Sequence, residues 1–218
     1  MTQQPRNSPI PDTLECFLYV DKFVQQFGPP AQVNLPSNRV ESLVDKHVMR
    51  VAKYFNFPCS ALWNARVAKL VLDLGFQELA LGYYKQALSE DEACPLALIG
   101  IGVVHARMHN YGLAIRDTNT AVNHCEEGNL MKKRCHINIA LWHEELYIMH
   151  QEQKLPEDGA DIGLSNDLDQ ARMHFRKAFE LSPFDFRSIP VYLAFANRRH
   201  FLDDIARVIK VVVGQFED

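Results

Sequence analysis

Histidines and cysteines are where chemistry would be sought first in this chain. His105 and His109 stand four apart in the run HARMH. On one helix that spacing puts two imidazoles on a common face, as two metal ligands require. The zinc hydrolases that use it carry a glutamate between the histidines as base, and none stands here. Cys125, the Cys135-His136 pair, His143 and His150 add ligand-capable atoms without the short spacings of a zinc site. Glu144 and Glu145 are adjacent, so on a helix they point about 100° apart and make a poor acid–base pair. The GIG of Gly100–Gly102 lies inside an apolar helical pattern, where glycine serves close packing and not phosphate binding. A nucleophile elbow, a CxxC and a glycine-rich phosphate loop are all missing. The expectation is a protein that is not an enzyme, with no catalytic residue, no metal and no cofactor.

Composition narrows the partner. The 23 Lys and Arg nearly balance the 27 Asp and Glu, for a formal charge of −4. No strongly basic block supplies the phosphate neutralisation that nucleic-acid binding needs, so nucleic acid is disfavoured. The local exceptions are Lys132-Lys133-Arg134 and Arg198-Arg199-His200. The longest apolar run, Pro95–Val104, falls well short of the ~20 residues of a membrane span. Five scattered cysteines, an odd number, fit free thiols in a reducing compartment, so a cytoplasmic location is expected, with the nucleus as the alternative.

The elements that would position any site are helices. Residues 1–11 lack an apolar core and read as a disordered leader. Residues 12–59 read as a helical extension: Asp12–Gly28 carries Leu14, Phe17, Leu18, Phe23 and Phe27 along one stripe. A second helix starts at Ser37 or Asn38, and Val40, Val44, Val48, Val51 and Phe55 share its inward face. From Ser60 the pattern alternates helix, turn, helix. Gly75 breaks the first pair, His109-Asn110 the second, and a polar insertion near 150–166 separates the members of the third. Pro190 marks the start of the last pair.

A repeat underlies this alternation. Ala80 and Ala114 are 34 residues apart in matching surroundings, and the pattern recurs at Ala171 and Ala206. Seven residues on stand Ala87, Ala121, Ala178 and Val213, with Tyr84, Thr118, Phe175 and Lys210 between. Where two helices cross closely a bulky side chain would force them apart, so alanine or glycine belongs at the contact.

These residues resemble tetratricopeptide (TPR) repeats. The clearest unit is Leu98, Ile101-Gly102, His105, Tyr111, Ala114 and Ala121, behind Pro95. The unit before it supplies Val67-Ala68, Gly75, Ala80, Tyr84 and Ala87. The third has Ala140, Leu168, Ala171, Phe175, Ala178 and Pro183, and the fourth Leu193-Ala194, Ala206 and Val213. The resemblance runs from about Ser60 to Phe216 and departs from the family where Thr118 and Lys210 replace an aromatic. It implies an all-α fold: a right-handed superhelical stack of antiparallel helix pairs, a TPR-like α-solenoid over 60–218 behind the N-terminal extension.

The resemblance also implies a concave groove lined by the first helix of each pair. The groove residues that follow are Lys69, Leu96, Ile99, Val103, Arg107, Arg134, Ile137, Leu141, Phe195, Arg198 and Arg199, apolar centrally with basic residues along it. Such a surface suits an extended or helical peptide with apolar anchors and a carboxylate. The expected function is non-catalytic binding of a partner protein, as a complex subunit, adaptor or small chaperone. The lysine/asparagine clamp with which some family members grip a C-terminal carboxylate does not reappear. One rival reading has 12–28 plug the groove. Others are a self-associating structural protein, a homo-oligomer, and an RNA-binding helical repeat.

Overall fold

The structure, a computed structural model, describes Lys22 and residues 37–54, 60–126, 130–152 and 161–214. Among these, the chain runs through α1 (Ser37–Tyr54), α2 (Ala61–Asp73), α3 (Gln77–Glu90), α4 (Pro95–Arg107), α5 (Tyr111–His124), α6 (Leu130–Glu152), α7 (Asp161–Leu181), α8 (Ile189–Arg198) and α9 (Leu202–Val213), with no strand. The fold is all-α and TPR-like. The leader, the 12–28 stripe and residues 153–160 of the insertion lie outside the described residues. Contacts group the chain into two compact units, Met1–Val104 and His105–Asp218.

The hairpin turns share one local cause. After α2, α4 and α8 a residue adopts a left-handed backbone: Gly75 (φ 90), His109 (φ 61) and His200 (φ 57). At each turn this residue donates its N–H three residues back, and the next residue donates five back. The longer bonds are Phe76 to Val71 (3.1 Å), Asn110 to His105 (2.9 Å) and Phe201 to Ala196 (2.8 Å). This paired pattern satisfies the helix-end carbonyls in the same way at all three turns. Ser60 opens α2 as a side-chain cap on the Trp63 N–H, 3.3 Å away.

In the first unit, Val44, Val48 and Val51 of α1 are buried, the face expected from their spacing. They share a core with Trp63, Val67, Val71, Ala80, Tyr84 and Ala87. Tyr84 packs on Gly100 of α4, and a β-carbon built there would lie 2.1 Å from the ring. Glycine at 100 is thus the condition for this close crossing.

In the second unit α5 packs on α6, α6 on α7 and α8 on α9. Its core joins Ala140, Ala171, Phe175, Phe179, Tyr192, Phe195 and Val208. Ala114 and Ala171 are fully buried, like Ala80. The fourth repeat departs from the expected register. Ala206 is exposed and Val213 is 48% exposed, whereas Asp204 and Val208 are buried. The inward face of α9 therefore begins two residues earlier than the alanine pattern suggests, with a carboxylate in the alanine's place.

That carboxylate is neutralised locally. Arg172 Nε and Arg176 Nε, one turn apart on α7, donate to Asp204 at 2.5 and 2.6 Å. Burial pushes the Asp204 carboxyl up, but the two guanidiniums more than offset it and hold it below its ordinary value.

Candidate functional site

Within each unit the expected groove residues divide between core and surface. Ile99 and Phe195 are interior, at 3% and 0% exposure, so the apolar anchors assigned to them are core. Leu96 and Val103 are half-buried against the first unit's core, and Leu141 against the second's. Lys69 is exposed and pairs with Asp73 on its own helix. Arg107 is exposed at the end of α4. Arg198 and Arg199 converge on the buried Glu144, with contacts of 2.8 and 3.3 Å, and Arg199 also stacks over Tyr147. They tie α8 to α6.

Two predicted residues, Arg134 and Ile137, are brought together in a cleft of about 320 Å³ in the second unit. Leu130, Lys133, Arg134 and Ile137 recur at helical spacing along the first turns of α6 and form one wall. Asp185, Arg187 and Ser188 of the α7–α8 connector and Val191 of α8 form the other. Asp185 organises this junction. Its carboxylate accepts the Arg187 N–H at 3.0 Å and the Lys133 ammonium, and its carbonyl accepts the Ser188 hydroxyl at 3.1 Å. The Lys133 contact, with the Arg187 N–H, holds the Asp185 carboxyl below its usual range. Lys133 is buried, so its charge is matched inside the wall, while Arg134 and Arg187 are exposed at the rim. The cleft combines a mainly apolar lining with guanidinium donors, which suits an apolar side chain beside a carboxylate.

The basic triplet is thereby divided. Lys132 lines a separate cavity of about 450 Å³ with Val122, His136, Lys177, Glu180 and Leu181, Lys133 pairs with Asp185, and Arg134 faces the cleft.

The histidines are arranged differently from the sequence reading. His105 and His109 are not on one helical face, because α4 ends at Arg107 and His109 sits in the turn. His105 meets Asp117 at 2.7 Å and His109 meets the Tyr111 hydroxyl at 3.3 Å. The histidines of α6 instead form a seam against α7. His150 and His143 each address one oxygen of Asp167, at 3.1 and 2.9 Å. His143 stacks on His174, and His174 Nδ1 lies 2.9 Å from His136 Nδ1. Burial, then the neighbouring His136, Lys177 and His143, push the His174 imidazole down to about 3. The sequence signal for this seam was the spacing of seven between His136, His143 and His150, two helical turns each, matched by Asp167 and His174 on α7. Among the described residues, no three His, Cys, Asp or Glu are arranged to hold a metal ion. No described helix is long and apolar enough to cross a membrane.

No family model and no curated protein matches the chain. Solved structures do. A monomeric mutant of IFIT1 with m7Gppp-AAAA aligns with a TM-score of 0.62 at 14% identity, over 92% of this chain and 40% of that one. The human IFIT1 dimer with m7Gppp-AAAA gives 0.59 at 15% identity, over 90% and 40%. The MamA RS-1 ArsTM double mutant gives 0.55 at 12% identity, over 96% and 99%. This chain thus spans about two fifths of the IFIT1 chains and nearly all of the MamA chain. IFIT1 and MamA are TPR-type helical repeat proteins, and the similarity is one of fold.

Proposed function

We propose that the chain is a non-catalytic protein-interaction module whose cleft between α6 and the start of α8 receives a partner peptide. The observation that carries the reading is the cleft itself. Ile137 and Val191 offer apolar surface inside it, Arg134 and Arg187 stand at its rim, and the ion pair of buried Lys133 with half-buried Asp185 fixes its wall. A peptide with a bulky apolar side chain next to Asp or Glu would bury the first and pair the second. The helices on either side are joined by packing and ion pairs within the unit, so the cleft is formed before the ligand arrives and little ordering cost falls on the chain.

RNA is the competing ligand class, since the two IFIT1 structures carry m7Gppp-AAAA. Lys132 lines another cavity and buried Lys133 is paired with Asp185, so the triplet does not present the contiguous cationic patch that phosphate tracking requires. The electrostatics favour a protein ligand. Work as an adaptor or complex subunit follows from this reading.

A displayed random-peptide library tests it. Enriched peptides are expected to pair a large apolar residue with a neighbouring acid and to lose at least tenfold in affinity on Ile137→Glu or Arg134→Glu. Both changes lie at half-buried or exposed positions, so circular dichroism should show the variants folded. Peptides that bind the variants and the parent equally would remove the cleft from consideration. Failure to enrich any peptide, with tight salt-sensitive binding of single-stranded RNA, would replace the reading with the RNA one.

A further inference from the structure

The outward face of α9 is apolar. Leu202 is 71% exposed, Ile209 51% and Val213 48%. At about 100° per residue these three fall within about 40° of one another, and the exposed Ala206 adjoins them. Asp204 and Val208 point the other way, into the unit's core. A helix at the surface of a repeat stack ordinarily turns polar residues outward, so this one carries a second apolar stripe beyond what its own packing uses.

The charges beside the stripe select its occupant. Asp203 and Lys210 are both exposed and lie on the same flank, near opposite ends of the helix. We propose that α9 is a self-association surface, on which a second copy lays its own α9 antiparallel. A two-fold antiparallel pair keeps matching flanks on one side, so Asp203 of each copy stands across from Lys210 of the other. A parallel pair would carry the two flanks to opposite sides and leave those charges unmatched. The stripes then cover one another, Leu202 of one copy lying near Val213 of the other and Ile209 near the middle. One helix face is a small interface, so the dimer is weak and reversible, with dissociation on the order of micromolar. The surface is separate from the cleft at α6 and α8.

Sedimentation equilibrium of the 218-residue chain over a wide concentration range tests this. The mass is expected to rise from 25.0 kDa toward twice that value. Ile209→Glu should hold it at the lower value throughout while leaving the thermal midpoint nearly unchanged, because the side chain is exposed. Asp203→Lys should weaken association at least fivefold, and adding Lys210→Asp should restore it. A parent chain that stays at 25.0 kDa at every concentration overturns the proposal. So does association that Ile209→Glu leaves intact, or a double reversal that fails to restore pairing in chains shown by circular dichroism to keep their helices.

Discussion

The Tyr84 ring lies directly over the α-carbon of Gly100, with no room for a methyl group between them. Glycine in mid-helix ordinarily costs about 1 kcal/mol relative to alanine, so Gly100→Ala at an open site would stabilise α4. Here the new β-carbon meets a ring that is itself buried. The expected outcome is a loss of roughly 1–3 kcal/mol in urea denaturation. Tyr84→Leu combined with Gly100→Ala should recover part of it, and a stabilised single variant would show that the ring moves freely.

The alanine register gives a paired comparison. Ala171 is fully buried under the second unit's core, whereas Ala206 faces outward on α9. Ala171→Leu is expected to overpack and cost about 1–3 kcal/mol. Ala206→Leu should change stability by less than about 0.5 kcal/mol. Equal effects at the two sites would contradict the two-residue shift in the fourth repeat.

Asp204 is held by two guanidiniums in a fully buried position. Asp204→Asn leaves both arginines without a matching charge. Each keeps some access to water, so the cost should fall near about 3 kcal/mol, the lower end for breaking a buried ion pair. The depressed carboxyl also makes a pH statement: its contribution is complete above about pH 4 and is lost as pH falls through the lower folded value. Chemical denaturation of the variant and parent at pH 7 and pH 3 should show the gap narrowing in acid.

His174 acts at a higher pH. Its imidazole is lowered from 6.5 to about 3 in the folded chain, so below pH 6.5 the unfolded chain binds the extra proton. The stability tied to this group is complete above 6.5 and falls by about 1.4 kcal/mol per pH unit toward 3. The groups facing it are His136 and His143 on α6 and Lys177 on α7, with Asp167 one step along the seam. His174→Gln cannot titrate yet retains a polar partner for His136. Between pH 6.5 and 5 the parent should lose about 2 kcal/mol more than this variant. Parallel pH profiles would show that the seam takes up protons without unfolding.

Helix boundaries followed from local signals that act over a few residues. Ser60, Gly75 and Pro95 set starts and stops that agree with the structure to within one residue, and α1 begins at Ser37, one of its two expected starts. Helix α7 begins at Asp161, inside the stretch near 150–166 that the sequence reads as a polar insertion. Asp161–Asp167 is polar enough to look like a connection, yet it continues the helix that sets Asp167 opposite His143 and His150. The Ala80, Ala114 and Ala171 contacts were legible because a close helix crossing has one chemical solution, a small side chain. The fourth contact was not, since Asp204 with two arginines from another helix is a different solution that no local pattern announces.

The candidate site divides along the same line. Arg134 and Ile137 were readable as partners because they share a helix face, three residues apart. Their opposite wall, Asp185 to Val191, lies some fifty residues on, and no short-range period connects the two. Burial separated Phe195 from Val191, one turn apart on the same helix: the first is fully inside the second unit's core and the second packs at its edge. The amino-acid order thus determined by itself where backbone turns and which residues must be small, because capping, left-handed turns and steric contact are satisfied within a few residues. Tertiary structure alone decided which charges are matched and which apolar faces remain open, because a side chain's solvation depends on atoms brought to it from distant parts of the chain.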